Sequence, residues 1–431
     1  MSAPPKSTAT FATTHSVGVL CALTAGVWLG AAEAPTKLVN SGLSPYAISL
    51  CMVAGVFTAR WTVPTLLKGT RYVFADLNLN RHLIPNAILA GMLWAVANTL
   101  TVFAIRDVGL TIAFPLWNTN SLVGILWGRL LFGELKGAST RNIAKVVLGA
   151  LAIVAAAIML GFSTIHGDAH HAHSALSGIL AAAGASLLWG TMYIPYRKAY
   201  ISGMNPLSFV TVFTIGELGT VFVLVLAFDG GTRAAIFHSP ETKHLLFWLF
   251  LGGFAWVIGD LFQQFATKYL GIGRAIPLSN TNQLWGLAWG ALVFGELAHS
   301  DWGHRLLVLA GSLVMIAGAI AVGTAVATER EHSSTNKALL RECSRYQLDY
   351  GRVLATHSGS APAGPNNPSD RRHWWDYAIL VSAAGIFVYL GLNARLPTLT
   401  MNFTWVWILT SALAATALVA GWSLWKATRF C

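Results

Sequence analysis

Twelve stretches of about twenty apolar residues, almost free of charge, run through the chain near 16–36, 46–66, 88–106, 110–132, 143–162, 175–196, 206–227, 245–268, 272–294, 304–326, 375–393 and 404–425. A helix of that length crosses about 30 Å of hydrocarbon. Backbone in lipid must satisfy its own hydrogen bonds, so such runs become helices. Only 10% of the 431 residues are charged, against about 25% in a soluble chain. This excludes a soluble enzyme and a disordered protein. The net charge of +11 would suit nucleic acid taken alone, but the basic residues sit in short loops between apolar runs. No nucleic-acid partner is expected. The expectation is an all-α integral membrane protein in contact with the bilayer.

The runs divide the chain. Residues 1–15 form a short N-terminus, 16–165 five helices, 166–174 a His-rich loop, 175–327 five more helices. Residues 328–372, rich in Glu, Arg, Ser, Asn and Pro, read as a polar linker without a core, and 373–431 as an extra transmembrane hairpin and tail. Ala32-Glu33-Ala34 after the first run mimics a signal-peptide cleavage site. Pro35 just beyond it, a single basic residue ahead of the run, and a later counterpart of the run favour a retained helix.

With the N-terminus in the cytoplasm, one set of helix ends carries Lys6, Lys68, Arg71, Arg81, Lys136, Arg141, Lys145, Arg197, Lys198, Lys268 and Arg274, and the other only Lys37, Arg106, Arg233, Lys243 and Arg305. Lysine and arginine are retained on the inner side, so this topology is expected, in a bacterial inner membrane given the compact loops.

The chain is also duplicated. Residues 94–135 align without a gap on 256–297, and 19 of 42 positions are identical. Pro115, Asn118, Thr119 and Asn120 recur as Pro277, Asn280, Thr281 and Asn282, and Trp94 as Trp256. Shared hydrophobicity does not place Pro-x-x-Asn-Thr-Asn twice in register. Each repeat holds five helices, an odd number, so the second copy enters the membrane from the opposite face. Inverted five-plus-five repeats belong to secondary transporters, in which two halves rock about a central site.

Two five-helix repeats, each with an Ala/Gly-x-x-Trp or Trp-Gly motif in its first helix, a tryptophan-led third helix and a Gly-Glu-Leu close to its fourth, resemble the drug/metabolite transporter superfamily. FPLWNTNSLVGILWGRLLFGEL and IPLSNTNQLWGLAWGALVFGEL look most like the glucose/ribose porter group of sugar uptake proteins and rhamnose-type permeases. The resemblance covers about 16–327. It implies a ten-helix carrier moving a sugar by alternating access.

Ionisable groups at mid-membrane are costly and mark function. Glu217, in FTIGELGTVF, has apolar Val56 as its repeat counterpart; an unmatched acid suits coupling to a proton, or less readily to sodium. Glu33 is a second coupling candidate. Asp260 and its counterpart Asn98 follow Trp256 and Trp94 by four residues, hence on one helix face, where a ring stacks on a sugar and the polar group meets hydroxyls. Asn118, Asn120, Asn280, Asn282 and Gln283 follow the two prolines, which can open a helix toward a cavity. Neutral amides, with no arginine pair at mid-span, point to an uncharged solute.

No sequence pattern calls for a cofactor. HGDAHHAH at 166–173 matches no closed metal site and reads as a solvated loop, and the four cysteines read as unpaired thiols. Neither H-E-x-x-H nor G-x-S-x-G occurs, so the chain is not expected to be an enzyme. The same-class alternative is an exporter or permease of a flat-ring or amphipathic metabolite, with seventeen tryptophans to line its cavity; a non-transporting scaffold ranks well below. The terminal hairpin offers a surface for a homodimer or for a partner protein.

Overall fold

The computed structural model describes residues 7–32, 34–35, 44–162, 175–229, 242–295, 297, 301–357, 372–395 and 401–430. Among them the chain is all-α, with no β-strand. Glu33, Lys37, Glu296 and the His-rich loop 166–173 lie outside the described residues.

The helices are α1 (Ser7–Ala31), α2 (Pro45–Lys68), α3 (Thr70–Leu79), α4 (Ile84–Asn118), α5 (Asn120–Leu131), α6 (Thr140–Phe162), α7 (Ala175–Ile201), α8 (Pro206–Phe228), α9 (Thr242–Leu270), α10 (Ile272–Ser279), α11 (Asn282–Ala288), α12 (Trp302–Gly323), α13 (Glu329–Tyr346), α14 (Tyr350–His357), α15 (Trp374–Asn393) and α16 (Phe403–Thr428). Ten described helices are long and apolar enough to span a membrane, α15 and α16 among them. That is two fewer than the twelve apolar runs suggest, because the runs 110–132 and 272–294 are each broken within their Asn-Thr-Asn motif.

In the first repeat the runs 88–106 and 110–132, expected as two helices, join as α4, 35 residues long, and the break falls at Thr119 instead. The Thr119 N–H donates to the Leu116 carbonyl and Leu122 N–H to Thr119. The second repeat breaks at the equivalent place, with Thr281 N–H to Leu278 and Leu284 N–H to Thr281. These are tight three-residue turns. Each threonine hydroxyl reinforces its break, Thr119 to Leu116 and Thr281 to Leu278.

Other equivalent positions make equivalent contacts. Ser44 and Asn205 cap α2 and α8 ahead of Pro45 and Pro206, each side chain accepting a first-turn N–H, which satisfies an otherwise orphaned donor. A Cβ on Gly55 would stand 2.1 Å from the Phe250 carbonyl, and one on Gly253 2.0 Å from that of Met52. One on Gly216 would stand 2.1 Å from the Ile88 carbonyl, and one on Gly91 2.0 Å from that of Phe213. So α2 presses on α9, and α4 on α8, backbone to backbone, through glycines one repeat apart in sequence. Small residues permit such approach in membranes.

The stretch 328–372, read as a linker without a core, carries α13 and α14, and Leu339, Cys343 and Val353 are buried between and beneath them. Its apolar residues repeat at helical spacing between the charges, and this makes a small core where composition suggests none. α15 packs on α2 and α9, and α16 on α1, both with mostly exposed outer faces.

Candidate functional site

Among the described residues, the bundle centre is charged. Arg60 on α2 reaches Glu217 on α8 with Nη1 at 2.9 Å from Oε2, and Asp260 on α9 with Nη2 at 2.7 Å from Oδ2. Arg60 and Glu217 are wholly buried and Asp260 is 1% exposed. One guanidinium against two carboxylates leaves a formal charge of −1 when both acids are ionised. Desolvating three charges is costly unless pairing and further hydrogen bonds compensate. Gln264 Nε2 donates to Asp260 Oδ2 at 2.7 Å, and the Tyr200 hydroxyl donates to Gln264 Oε1. Phe213 lies 4.0 Å under the Arg60 guanidinium. A cation over an aromatic face gains from the ring quadrupole.

Several polar atoms here face no hydrogen-bond partner: Asp260 Oδ1, Arg60 Nε, the Tyr196 hydroxyl and Trp94 Nε1. Buried groups are otherwise nearly always satisfied. Trp256 stands 5.5 Å from the Arg60 guanidinium and 5.0 Å, ring to ring, from Trp94. The structure thus gathers Trp94, Trp256, Asp260 and Glu217 around Arg60, which the sequence reading did not single out. Glu217 is not a lone acid; it is half of an ion pair.

Asn98 goes elsewhere. Its Nδ2 is 3.3 Å from Ser49 Oγ, eleven residues before Arg60 on the same helix, or about 16 Å along its axis. The asparagines form a second cluster at the two helix breaks. Asn280 Nδ2 donates to Asn120 Oδ1 at 2.9 Å and approaches the Asn118 carbonyl at 3.3 Å, so the two copies of the motif touch. Asn282 Oδ1 and Gln283 Nε2 are buried without a hydrogen-bond partner. Gln263 on α9, three residues after Asp260, donates to Ser279 at 2.6 Å, the residue before Asn280. Tyr193 and Trp189 belong to the surrounding aromatic packing, with Trp189 edge-on to Trp117. Among the described residues no cluster of three metal-ligating side chains occurs, and Cys21, Cys51 and Cys343 are free thiols.

Arg60 had a sequence signal. Its repeat counterpart, at the spacing that pairs Val56 with Glu217, is apolar Val221. It also lies eight residues before Lys68, about 12 Å deeper than the loop. Near the end of an apolar run, an arginine ordinarily reaches toward the headgroups.

A multi-pass helical bundle with polar and charged groups sealed at its centre is the architecture of a small-solute transporter. A family profile described as "Sugar transport protein" matches residues 43–163 and 180–350, and the chain belongs to that family. It is 26% identical over 242 residues to a Streptococcus pyogenes protein named for sugar uptake, covering 55% of this chain and 77% of the relative. It is 32% identical over 101 residues to a Bacillus cereus protein named for glucose uptake, covering 23% and 34%. With an Enterococcus faecalis sugar uptake relative it shares 27% over 128 residues, covering 30% and 40%. The chain therefore aligns with well under half the length of these last two. One solved crystal structure superposes with a TM-score of 0.51 at 17% identity, covering 71% of this chain and 96% of that one, a likeness of fold.

Proposed function

We propose that the protein is a secondary carrier that moves a small neutral polar solute, a sugar of the kind taken by the glucose/ribose porter group, by alternating access coupled to protons. The observation that carries this reading is the buried Arg60–Glu217–Asp260 triad beside the Trp94–Trp256 pair. The triad carries one negative charge that one proton cancels. A proton suits it better than sodium, because Arg60 already occupies the space between the carboxylates and repels a second cation. Glu217 is the coupling acid. Glu33 keeps the secondary coupling role read from sequence.

Asp260, with its free oxygen, and the two tryptophans hold the solute, as a carboxylate and ring faces hold hydroxyls and C–H edges. Asn118, Asn120, Asn280, Asn282 and Gln283 line the adjoining polar cluster, and Asn98 a further subsite on the path. The reciprocal glycine contacts and matching helix breaks support an inverted five-plus-five repeat, with α15 and α16 as an added hairpin. The basic ends support an N-inside topology in a bacterial inner membrane. The outer faces of α15 and α16 offer themselves to lipid or to a second copy. The aromatic shell of Trp94, Phe213 and Trp256 favours one other reading, a carrier of flat-ring metabolites.

Uptake of a labelled monosaccharide panel by reconstituted vesicles, with and without an inward proton gradient, tests this. Gradient-driven sugar uptake by the native chain, lost in Glu217→Gln, supports it. Sugar uptake indifferent to the gradient removes the coupling, and uptake of planar metabolites alone replaces the sugar.

A further inference from the structure

A second buried charge network lies away from the triad, at the basic end. Glu134, just beyond α5, accepts the N–H groups of Ile272 and Gly273 at 3.0 and 2.9 Å. These are the first two amides of α10, donors without intrahelical partners and at the positive pole of the helix. Arg197 Nε stands 3.2 Å from the same carboxylate, and Arg197 Nη1 donates to the carbonyls of Thr267 and Lys268 at 3.1 and 2.8 Å. Beside them Arg274 forks onto Glu331 at 2.7 and 2.8 Å, and its Nε donates to the Ala325 carbonyl. Glu331 also accepts the Leu135 N–H at 3.1 Å. All four charged side chains are buried.

We infer that this network is the gate of the basic end, and that α13 is its latch. The inference rests on the transport reading above, whose topology puts this end in the cytoplasm. Three of the four charges come from the ten-helix core. Glu331 comes from α13, a polar helix outside the core, so Arg274 meets this carboxylate only while α13 is docked. Without it a buried guanidinium lacks its counter-ion and must find water, which means that the end opens. α10 carries the consequence inward. It is eight residues long, with its first turn tied to Glu134 and Glu331 and its last residue, Ser279, bonded to Gln263 and followed by Asn280. Latch and polar centre are the two ends of one short rod. α13 is pinned further along by the Tyr346 ring, 4.2 Å from His82 and 5.3 Å from the Lys198 ammonium.

The test uses the full chain in vesicles, with its native cysteines replaced by serine and Ile272→Cys as reporter, since Ile272 is fully buried at the gate. Glu331→Gln is expected to raise the rate of labelling by a membrane-impermeant maleimide from the cytoplasmic side at least tenfold. The exchange Glu331→Arg with Arg274→Glu is expected to return it to within a factor of about two of the parent. Unchanged labelling in a monodisperse Glu331→Gln protein overturns the latch. Should Glu331→Gln not fold, a thiol bridge between His82→Cys and Tyr346→Cys holds α13 down with the network intact. Labelling at position 272, read on its own peptide by mass spectrometry, is expected to be suppressed by the bridge and restored on reduction; labelling there indifferent to the bridge overturns the proposal. Neither readout needs a transported solute, so the latch and the sugar reading fail separately.

Discussion

Arg60 Nη1 stands 2.9 Å from Glu217 Oε2, and neither side chain retains any exposure. The pair joins α2 to α8, and through Asp260 also α9. An arginine so placed has a structural and a functional consequence that separate variants resolve.

Removal of the cation alone leaves two buried carboxylates facing each other. Arg60→Met is expected to destabilise the protein by about 3–5 kcal/mol, the usual cost of breaking a buried ion pair from one side. Adding Glu217→Gln and Asp260→Asn to it is expected to recover more than half of that loss. Thermal unfolding in detergent, set out as a mutant cycle, measures both.

Glu217→Gln alone leaves Arg60 and Asp260 as a balanced pair. It is expected to fold normally and bind solute within a factor of about three of the parent. Accumulation driven by an inward proton gradient is expected to vanish, while exchange of solute across the membrane persists. The sign follows from the charge count: protonation brings the native triad from −1 to neutral, and the glutamine is neutral at every pH. Counterflow and gradient-driven uptake on the same vesicles separate the two.

Trp256→Ala removes the ring between Trp94 and Arg60. The half-saturation concentration for sugar is expected to rise about tenfold, equivalent to ~1.4 kcal/mol, with the gradient dependence retained. Solute-induced quenching of tryptophan fluorescence is expected to fall in parallel.

Gly91→Ala places a methyl group where the Phe213 carbonyl stands 2.0 Å away. Backbone cannot swing aside as a side chain can, so α4 and α8 must separate. A loss of about 1–3 kcal/mol is expected, as for other overpacked sites, read as a lower unfolding temperature. Gly219, with nothing within 4 Å of its would-be Cβ, is the control and is expected to tolerate alanine.

Much of this was legible in the sequence because lipid permits few solutions. Apolar runs of fixed length announced the helices, and acids or tryptophans inside them announced Glu217, Asp260, Trp94 and Trp256. The doubled Asn-Thr-Asn motif marks the helix breaks, but they fall at Thr119 and Thr281 and not at the prolines, which lie within α4 and α10. Side-chain partnership was not legible. Arg60 sits near the end of an apolar run, where arginines commonly reach toward headgroups, and only the packing of α2 against α8 turns it inward. Asn98 and Asp260 share a register, yet Asn98 meets Ser49 and Asp260 meets Arg60, since equivalent positions face different neighbours once the residues opposite have diverged. Glu331 was hidden for another reason: composition describes 328–372 as polar but does not say which acid will dock on a buried arginine.

The glycine contacts divide the centre unevenly. α2 is welded to α9 through Gly55 and Gly253, and α4 to α8 through Gly91 and Gly216. Arg60 and Asp260 therefore ride on one two-helix beam and Glu217 on the other. In the alternating access proposed above, a tilt of one beam against the other would carry the Arg60–Asp260 pair intact and stretch the Arg60–Glu217 pair, which spans the joint. Under that proposal the two acids, alike in burial and in partner, have different mechanical fates: one is cargo of its own beam, and the other is a clasp between beams that a proton would undo.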